Sequence, residues 1–130
     1  MKILKRTLLG AIVTLATIAS PAFSADPVKI GMITTLSGGG SSLGRDIRDG
    51  FKLAVDMRGG KLGDQAVDLI ISDDARKVGN AKQIADRMLK RDKVDVMTGI
   101  VWSNLALAVV PTVTKAGKFY LSPNAGPSKF

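Results

Sequence analysis

Four short apolar runs punctuate the chain, and a loop and a stretch of helical spacing follow each of the first three. Val28 to Thr34 (VKIGMIT), Val67 to Ser72 (VDLIIS), Val94 to Thr98 (VDVMT) and Phe119 to Ser122 (FYLS) are β-branched or aromatic and too short for helices. Each reads as a strand, the first as a buried one. Arg45 to Met57 places Ile47, Phe51, Ala54 and Val55 on one helical face and Arg48, Asp49, Lys52 and Asp56 on the other, with Gly59-Gly60 as its stop. A second helix is expected from an Asn80 cap through Lys90, with Ala81, Ile84, Ala85, Met88 and Leu89 in one stripe. A third is expected from Asn104 to Ala116, kinked at Pro111. Such alternation with near-continuous apolar strands predicts an α/β fold, a parallel sheet with helices on both faces.

The length of 130 residues fits one small domain. Its first stretch has a different character. Lys2, Lys5 and Arg6 precede an apolar run from Leu8 to Ile18, and Ala22-Phe23-Ser24 supplies the small residues of a cleavage site. Residues 1–24 are therefore expected to be a signal peptide, cut after Ser24 or after Ala25, with an N-terminal membrane anchor as the alternative. Residues 25–130 are the folded part. Export to the periplasm fits a chain without cysteine, which also excludes a lipid-modified cysteine and a disulfide framework. Removing residues 1–24 takes three basic residues from a formal +8 and leaves +5. An exported protein rarely meets nucleic acid, so Lys82, Arg87, Lys90, Arg91 and Lys93 read as a solvated face. The last strand leads into a loop ending at Phe130 with no helix to cover it, which reads as a fragment or a truncated gene.

The loop Leu36 to Gly50 (LSGGGSSLGRDIRDG) invites three chemical readings. Gly39 and Gly44 have phosphate-loop spacing, but Arg45-Asp46 stands where Lys-Ser/Thr is required. Gly38 and Gly40 begin a dinucleotide fingerprint, but Leu43 replaces its third glycine. Gly40-Ser41-Ser42-Leu43-Gly44 matches a nucleophile elbow, yet the chain has no histidine to serve as base. Metal binding would fall to Asp73-Asp74, adjacent residues that point apart and suit a turn better. No cofactor, metal or catalytic residue is expected. Ligands of open parallel sheets sit beyond the carboxyl ends of the strands. Those ends carry Ser37 to Gly44, Asp73-Asp74, Gly99 to Asn104 and Ser122 to Ser128, which are mostly small, hydroxyl-bearing or amide residues. Free N–H groups and positive helix ends there favour a carboxylate.

Val28-Lys29-Ile30-Gly31, Leu36-Ser37-Gly38, Gly44, and Gly50 before Ala54-Val55 resemble the start of periplasmic branched-chain amino-acid-binding proteins, the type I solute-binding proteins of ABC importers. Gly59-Gly60, Asp73-Asp74-Ala75, Gly99 and Ser122-Pro123 extend the resemblance over the whole mature chain. It implies two lobes closing over a small carboxylate solute and delivering it to a membrane permease. This chain would be the first part of one lobe, and the complete protein a monomer. By position, Ser103 would contact the ligand carboxylate, while Asn124, Ala125 and Gly126 would form the loop near its charged end. Leu43 sits where some members place an aromatic residue, and Trp102 would add an apolar or stacking wall.

The pattern also departs from the family. Gly126 replaces a threonine hydroxyl of amino-acid binders, and Ser122-Pro123-Asn124-Ala125-Gly126-Pro127-Ser128 looks more like members that carry aromatic or other organic acids. A structural role stands beside each site assignment: Ser103 as a helix cap, Asn124 as a turn stabiliser, Gly126 as backbone geometry, Leu43 and Trp102 as lobe surface. Arg45 would either pair with a carboxylate or sit exposed. Other functions remain open at this level: a secreted α/β hydrolase using Ser42, which needs a histidine beyond Phe130, a ligand-sensing lobe of a receptor, or a truncated product without function.

Overall fold

The computed structural model describes residues 26–124 and residue 126. The expected signal peptide and Ala125 lie outside the described residues. Strand β1 (Val28–Thr34) leads through a loop to helix α1 (Ser41–Asp56). A hairpin of β2 (Lys61–Leu62) and β3 (Gln65–Asp73) follows, then α2 (Val78–Arg87) with a terminal π turn at Met88–Asp92. β4 (Val96–Thr98), α3 (Ser103–Lys115) and β5 (Phe119–Leu121) complete the described elements.

The sheet order is β2-β3-β1-β4-β5. β3, β1, β4 and β5 are parallel, as the apolar runs predict, and only β2 is antiparallel. That edge ribbon escapes the sequence pattern because it is two exposed residues joined to β3 through Gly63-Asp64.

Alternation along β1 sorts the two layers. Ile33 joins the main core with Ala81, Ala85, Met88, Met97, Leu105, Val109 and Val113 from α2, the π turn, β4 and α3. A side chain on Gly31 would meet Met88 and Val94 on that same face. Thr34 points the other way, and its Oγ1–H donates to the Gly44 carbonyl of α1 at 3.4 Å. Helices therefore cover both faces, α1 on one and α2 with α3 on the other.

Helix boundaries differ from expectation at informative places. α1 begins at Ser41 rather than Arg45, because the loop ends at Gly40, whose φ of 80° closes the turn. Ser41 to Gly44 look like loop by composition, but Gly44 lies buried in the helix against Thr34 and Thr35. Of the expected α1 stripe, Val55 is buried, Ile47 and Phe51 are half-buried, and Ala54 is exposed. Asn80 does not cap α2. It lies in the first turn, and Lys77 occupies the cap position because the backbone turn at Asp74 starts the helix earlier. The predicted α2 stripe does face the core. Pro111 lies inside α3, which continues to Lys115. Among the basic residues expected to be solvated, Arg87 is instead half-buried, donating to Ser72 Oγ at 2.6 Å and pairing with Asp92 at 3.6 Å.

Candidate functional site

The chain steps from β1 outward to β3, then returns past β1 to β4 and β5. This reversal makes the loops after β1 and β4 diverge, leaving a crevice at the carboxyl ends of these neighbouring strands. Thr35–Gly40, Asp74–Lys77, Gly99–Trp102 and the residues after Leu121 all emerge at this end.

Two aspartates at the end of β3 organise the first two loops. Asp73 Oδ1 accepts hydrogen bonds from the Leu36 and Ala75 amides, each at 2.8 Å, and its Oδ2 accepts from Ser37 Oγ–H at 2.5 Å. Asp74 Oδ1 accepts from Thr35 Oγ1–H at 2.6 Å and from the Arg76 amide at 2.7 Å. Both act within turns, as their adjacency suggested. Burial opposes ionisation of Asp73, but the Ser37, Leu36 and Ala75 donors outweigh it and hold its carboxyl below the ordinary value of 3.8. Asp74 shifts in the opposite direction. Its side chain is fully buried, its Oδ2 has no partner among the described residues, and desolvation prevails over the bonds from Thr35 and Arg76 to raise it above 3.8.

The two groups have opposite linkage to stability. The lowered Asp73 stabilises the fold above its unfolded value, and that contribution is lost as pH falls through its folded value. The raised Asp74 destabilises the fold once ionised, increasingly as pH rises from its unfolded value through its folded one. Asp74→Asn keeps an oxygen acceptor for Thr35 and Arg76 and removes the buried charge. The variant is therefore expected to gain stability relative to the parent as pH rises through that window. Urea unfolding midpoints between pH 4 and pH 8 check this, and a difference independent of pH would contradict it.

Trp102 closes the crevice between the first and third loops. Its Nε1–H donates to Thr35 Oγ1 at 2.9 Å, its six-membered ring lies against Gly40, and the Arg76 guanidinium carbon stands 3.9 Å from the ring centroid. Trp102 is thus half-buried and held against the loops after β1 and β3, rather than a free lobe-surface residue. Ser103 follows it as the first residue of α3, exposed, while Trp102 itself occupies the cap position. The expected Ser103 cap is absent: no side-chain hydrogen bond caps α3. Its hydroxyl therefore has no capping duty at the positive end of a helix.

Asn124 reaches across loops. Its Nδ2–H donates to the Val101 carbonyl at 2.8 Å, and its own carbonyl accepts from Ser122 Oγ–H at 2.7 Å. The loop after β5 is so tied to the loop before α3. Gly126 is exposed, and Leu43 is 49% exposed on the first turn of α1. Arg45 is engaged locally, donating to the Leu36 carbonyl at 3.2 Å and to Ser41 Oγ at 2.9 Å. Ser42 sits inside the first turn of α1, with Thr35–Gly40 between it and β1, so the strand-to-helix elbow of a hydrolase is not formed. A separate polar groove of about 320 Å³ runs between β3 and α2, lined by Ser72, Asp73, Asn80, Gln83, Ile84 and Arg87.

Sequence reasoning missed Arg76. It carries no periodic signal, and it reaches Trp102 only because Ala75 and Arg76 both adopt left-handed backbone, with φ of 49° and 58°.

The profile of the family described as "Periplasmic binding protein" matches residues 27–130. The Leu/Ile/Val-binding protein homolog 6 of Brucella abortus is 26% identical over 126 residues, covering 96% of this chain and 32% of the relative. The chain thus spans about a third of the length of the curated relatives it matches. Among solved structures, an ABC transporter solute binding protein of R. palustris in complex with benzoate is 31% identical, with a TM-score of 0.73 over 77% of this chain and 28% of its own. The branched-chain amino acid transporter substrate binding protein of Streptococcus pneumoniae, in complex with isoleucine, is 25% identical, with a TM-score of 0.74 over 80% of this chain and 30% of its own.

Proposed function

Because the chain belongs to the periplasmic binding protein family of type I solute-binding proteins, we propose that it forms the first part of one lobe of the substrate-binding component of an ABC importer. It binds a small carboxylate solute without reaction and hands it to a membrane permease. Residues 1–24 direct export to the periplasm, and residues 25–130 belong to the lobe.

The carrying observation is the arrangement at the switch point. Small and hydroxyl-bearing loops emerge there on either side of the start of α3, where the Ser103 hydroxyl is exposed and uninvolved in capping. A carboxylate placed there meets that hydroxyl, the first-turn N–H groups and the positive helix end. Asn124 and Gly126 lie on the loop after β5, and with Ala125 between them in sequence they would contact the solute's charged end, while Leu43 and Trp102 would bound its apolar part. Benzoate and isoleucine, held by the two solved relatives, share a carboxylate and differ in the rest. Gly126 offers no hydroxyl to an α-ammonium group, which favours an aromatic or other organic acid over a branched-chain amino acid.

Ser103→Ala tests the assignment. A hydrogen bond to a charged group contributes about 1.5–3 kcal/mol, so the variant of the full-length protein should bind the solute roughly 10- to 150-fold more weakly. Its ligand-free melting temperature should stay near that of the parent, because Ser103 is exposed and caps nothing. Calorimetric titration with benzoate and with leucine reads the effect. Unchanged affinity for a solute that the parent binds would remove Ser103 from the site.

A further inference from the structure

Four residues from three strand-end loops close into a ring. Trp102 Nε1–H donates to Thr35 Oγ1, Thr35 Oγ1–H donates to Asp74 Oδ1, Asp74 Oδ1 also accepts the Arg76 amide, and the Arg76 guanidinium returns to stack on Trp102. Each member contacts two others, and together they join the loops after β1, β3 and β4.

Arg76 is held in place at a backbone cost. Consecutive non-glycine residues in the left-handed region are disfavoured by roughly 1–2 kcal/mol each, and such strain persists where the surroundings over-determine it. Here the Asp73 and Asp74 carboxylates fix the Ala75 and Arg76 amides, and the turn they form aims the arginine over the indole. No carboxylate lies within ion-pair distance of its guanidinium among the described residues. Its guanidinium stacks on the indole, and its Nη1 stands 3.6 Å from where a Cβ on Gly39 would lie, an ordinary contact distance.

We propose that this ring is a noncovalent clasp and that Arg76 is a positioning residue for the solute site, acting through Trp102. The loop Gly99–Trp102 leads directly into Ser103. Fixing the indole by one hydrogen bond and one stacked cation sets where α3 begins, and so where Ser103 presents its hydroxyl before solute arrives. Preorganisation of this kind raises affinity by removing ordering that binding would otherwise impose. The inference rests on the solute site described above for its functional half. The clasp itself is independent of any solute.

Two readouts on the full-length protein separate these halves. The first needs no ligand: the indole Nε1–H resonance of Trp102, assigned by its disappearance in Trp102→Phe. In the parent it should exchange slowly with solvent. Arg76 is exposed, so Arg76→Ala should speed that exchange about 2- to 5-fold, the range of an exposed cation–π contact, and Arg76→Lys should restore part of the protection. Exchange unaltered by Arg76→Ala would overturn the clasp. The second is a double-mutant cycle of Arg76→Ala and Trp102→Leu, read as affinity for benzoate or leucine, with circular dichroism confirming that each variant is folded. Arg76 acting through Trp102 predicts that the double variant binds no more weakly than the weaker single variant. Independent, multiplying losses would mean that Arg76 touches the solute itself and would overturn its positioning role. A parent that binds neither solute would count against the importer assignment, while the exchange readout would still decide the clasp.

Discussion

Gly44→Ala should lower the stability of the full-length protein by roughly 2 kcal/mol or more, although alanine is the better helix former by about 1 kcal/mol. A Cβ at this position would lie 1.9 Å from the Thr35 carbonyl oxygen, 2.7 Å from its carbon and 2.9 Å from Thr34 Oγ1. Side chains can rotate away from such a contact, but the carbonyl at the end of β1 cannot. α1 would have to retreat by about 1 Å, disturbing the Thr34 bond to Gly44 and the seat of the loop that carries Thr35 into the clasp. Urea unfolding with an unchanged slope and a lower midpoint is the expected record. A midpoint equal to or above the parent's would mean that α1 does not sit against β1 as described.

Gly99→Ala should be of similar size, roughly 2–4 kcal/mol, from two additive causes. Gly99 has φ of 104°, where side chains are strained, and a Cβ there would stand 2.7 Å from the Ile33 carbonyl oxygen and 2.7 Å from Met32 Cγ. Met32 is fully buried and meets the Cβ with its Cγ rather than its flexible end, and the backbone of β1 cannot move. Gly99 is also where β4 gives way to the loop bearing Trp102, so the variant should weaken solute binding along with stability. The same unfolding experiment checks it. A substitution tolerated without loss would show that β4 leaves the sheet by another path.

The strands were legible as short β-branched or aromatic runs, although only β1 and β4 are largely buried: β3 has no fully buried residue, and Phe119 and Leu121 of β5 are exposed. β1 matches its predicted bounds, while β3 and β4 differ by one to two residues at their ends. The start of α1 was not legible: Ser41, Ser42 and Gly44 have loop composition, and only contact with Thr34 and Thr35 explains a glycine inside the helix. Of the proposed site, the sheet topology brings the loops after β1, β3, β4 and β5 to one end, with Trp102 and Asn124 in them and Ser103 opening α3. Their contacts were a different matter. Asn124 binds the Val101 carbonyl across loops rather than bracing its own turn alone, and Trp102 turns its N–H inward to Thr35. Arg76 escaped notice because left-handed backbone at Ala75 and Arg76 arises from the Asp73 and Asp74 hydrogen bonds, which no periodicity records.

The most direct measurement is the thermal melting of the full-length protein against leucine, valine, benzoate and 4-hydroxybenzoate. A solute at 100 times its Kd should add about 2.7 kcal/mol of stability, a clear rise in melting temperature. The account predicts a rise with at least one of these acids, larger for the aromatic acids, and none with the primary amide of the same compound, which lacks the charge. No rise with any acid, or an equal rise with the neutral amide, would contradict a carboxylate site at the start of α3.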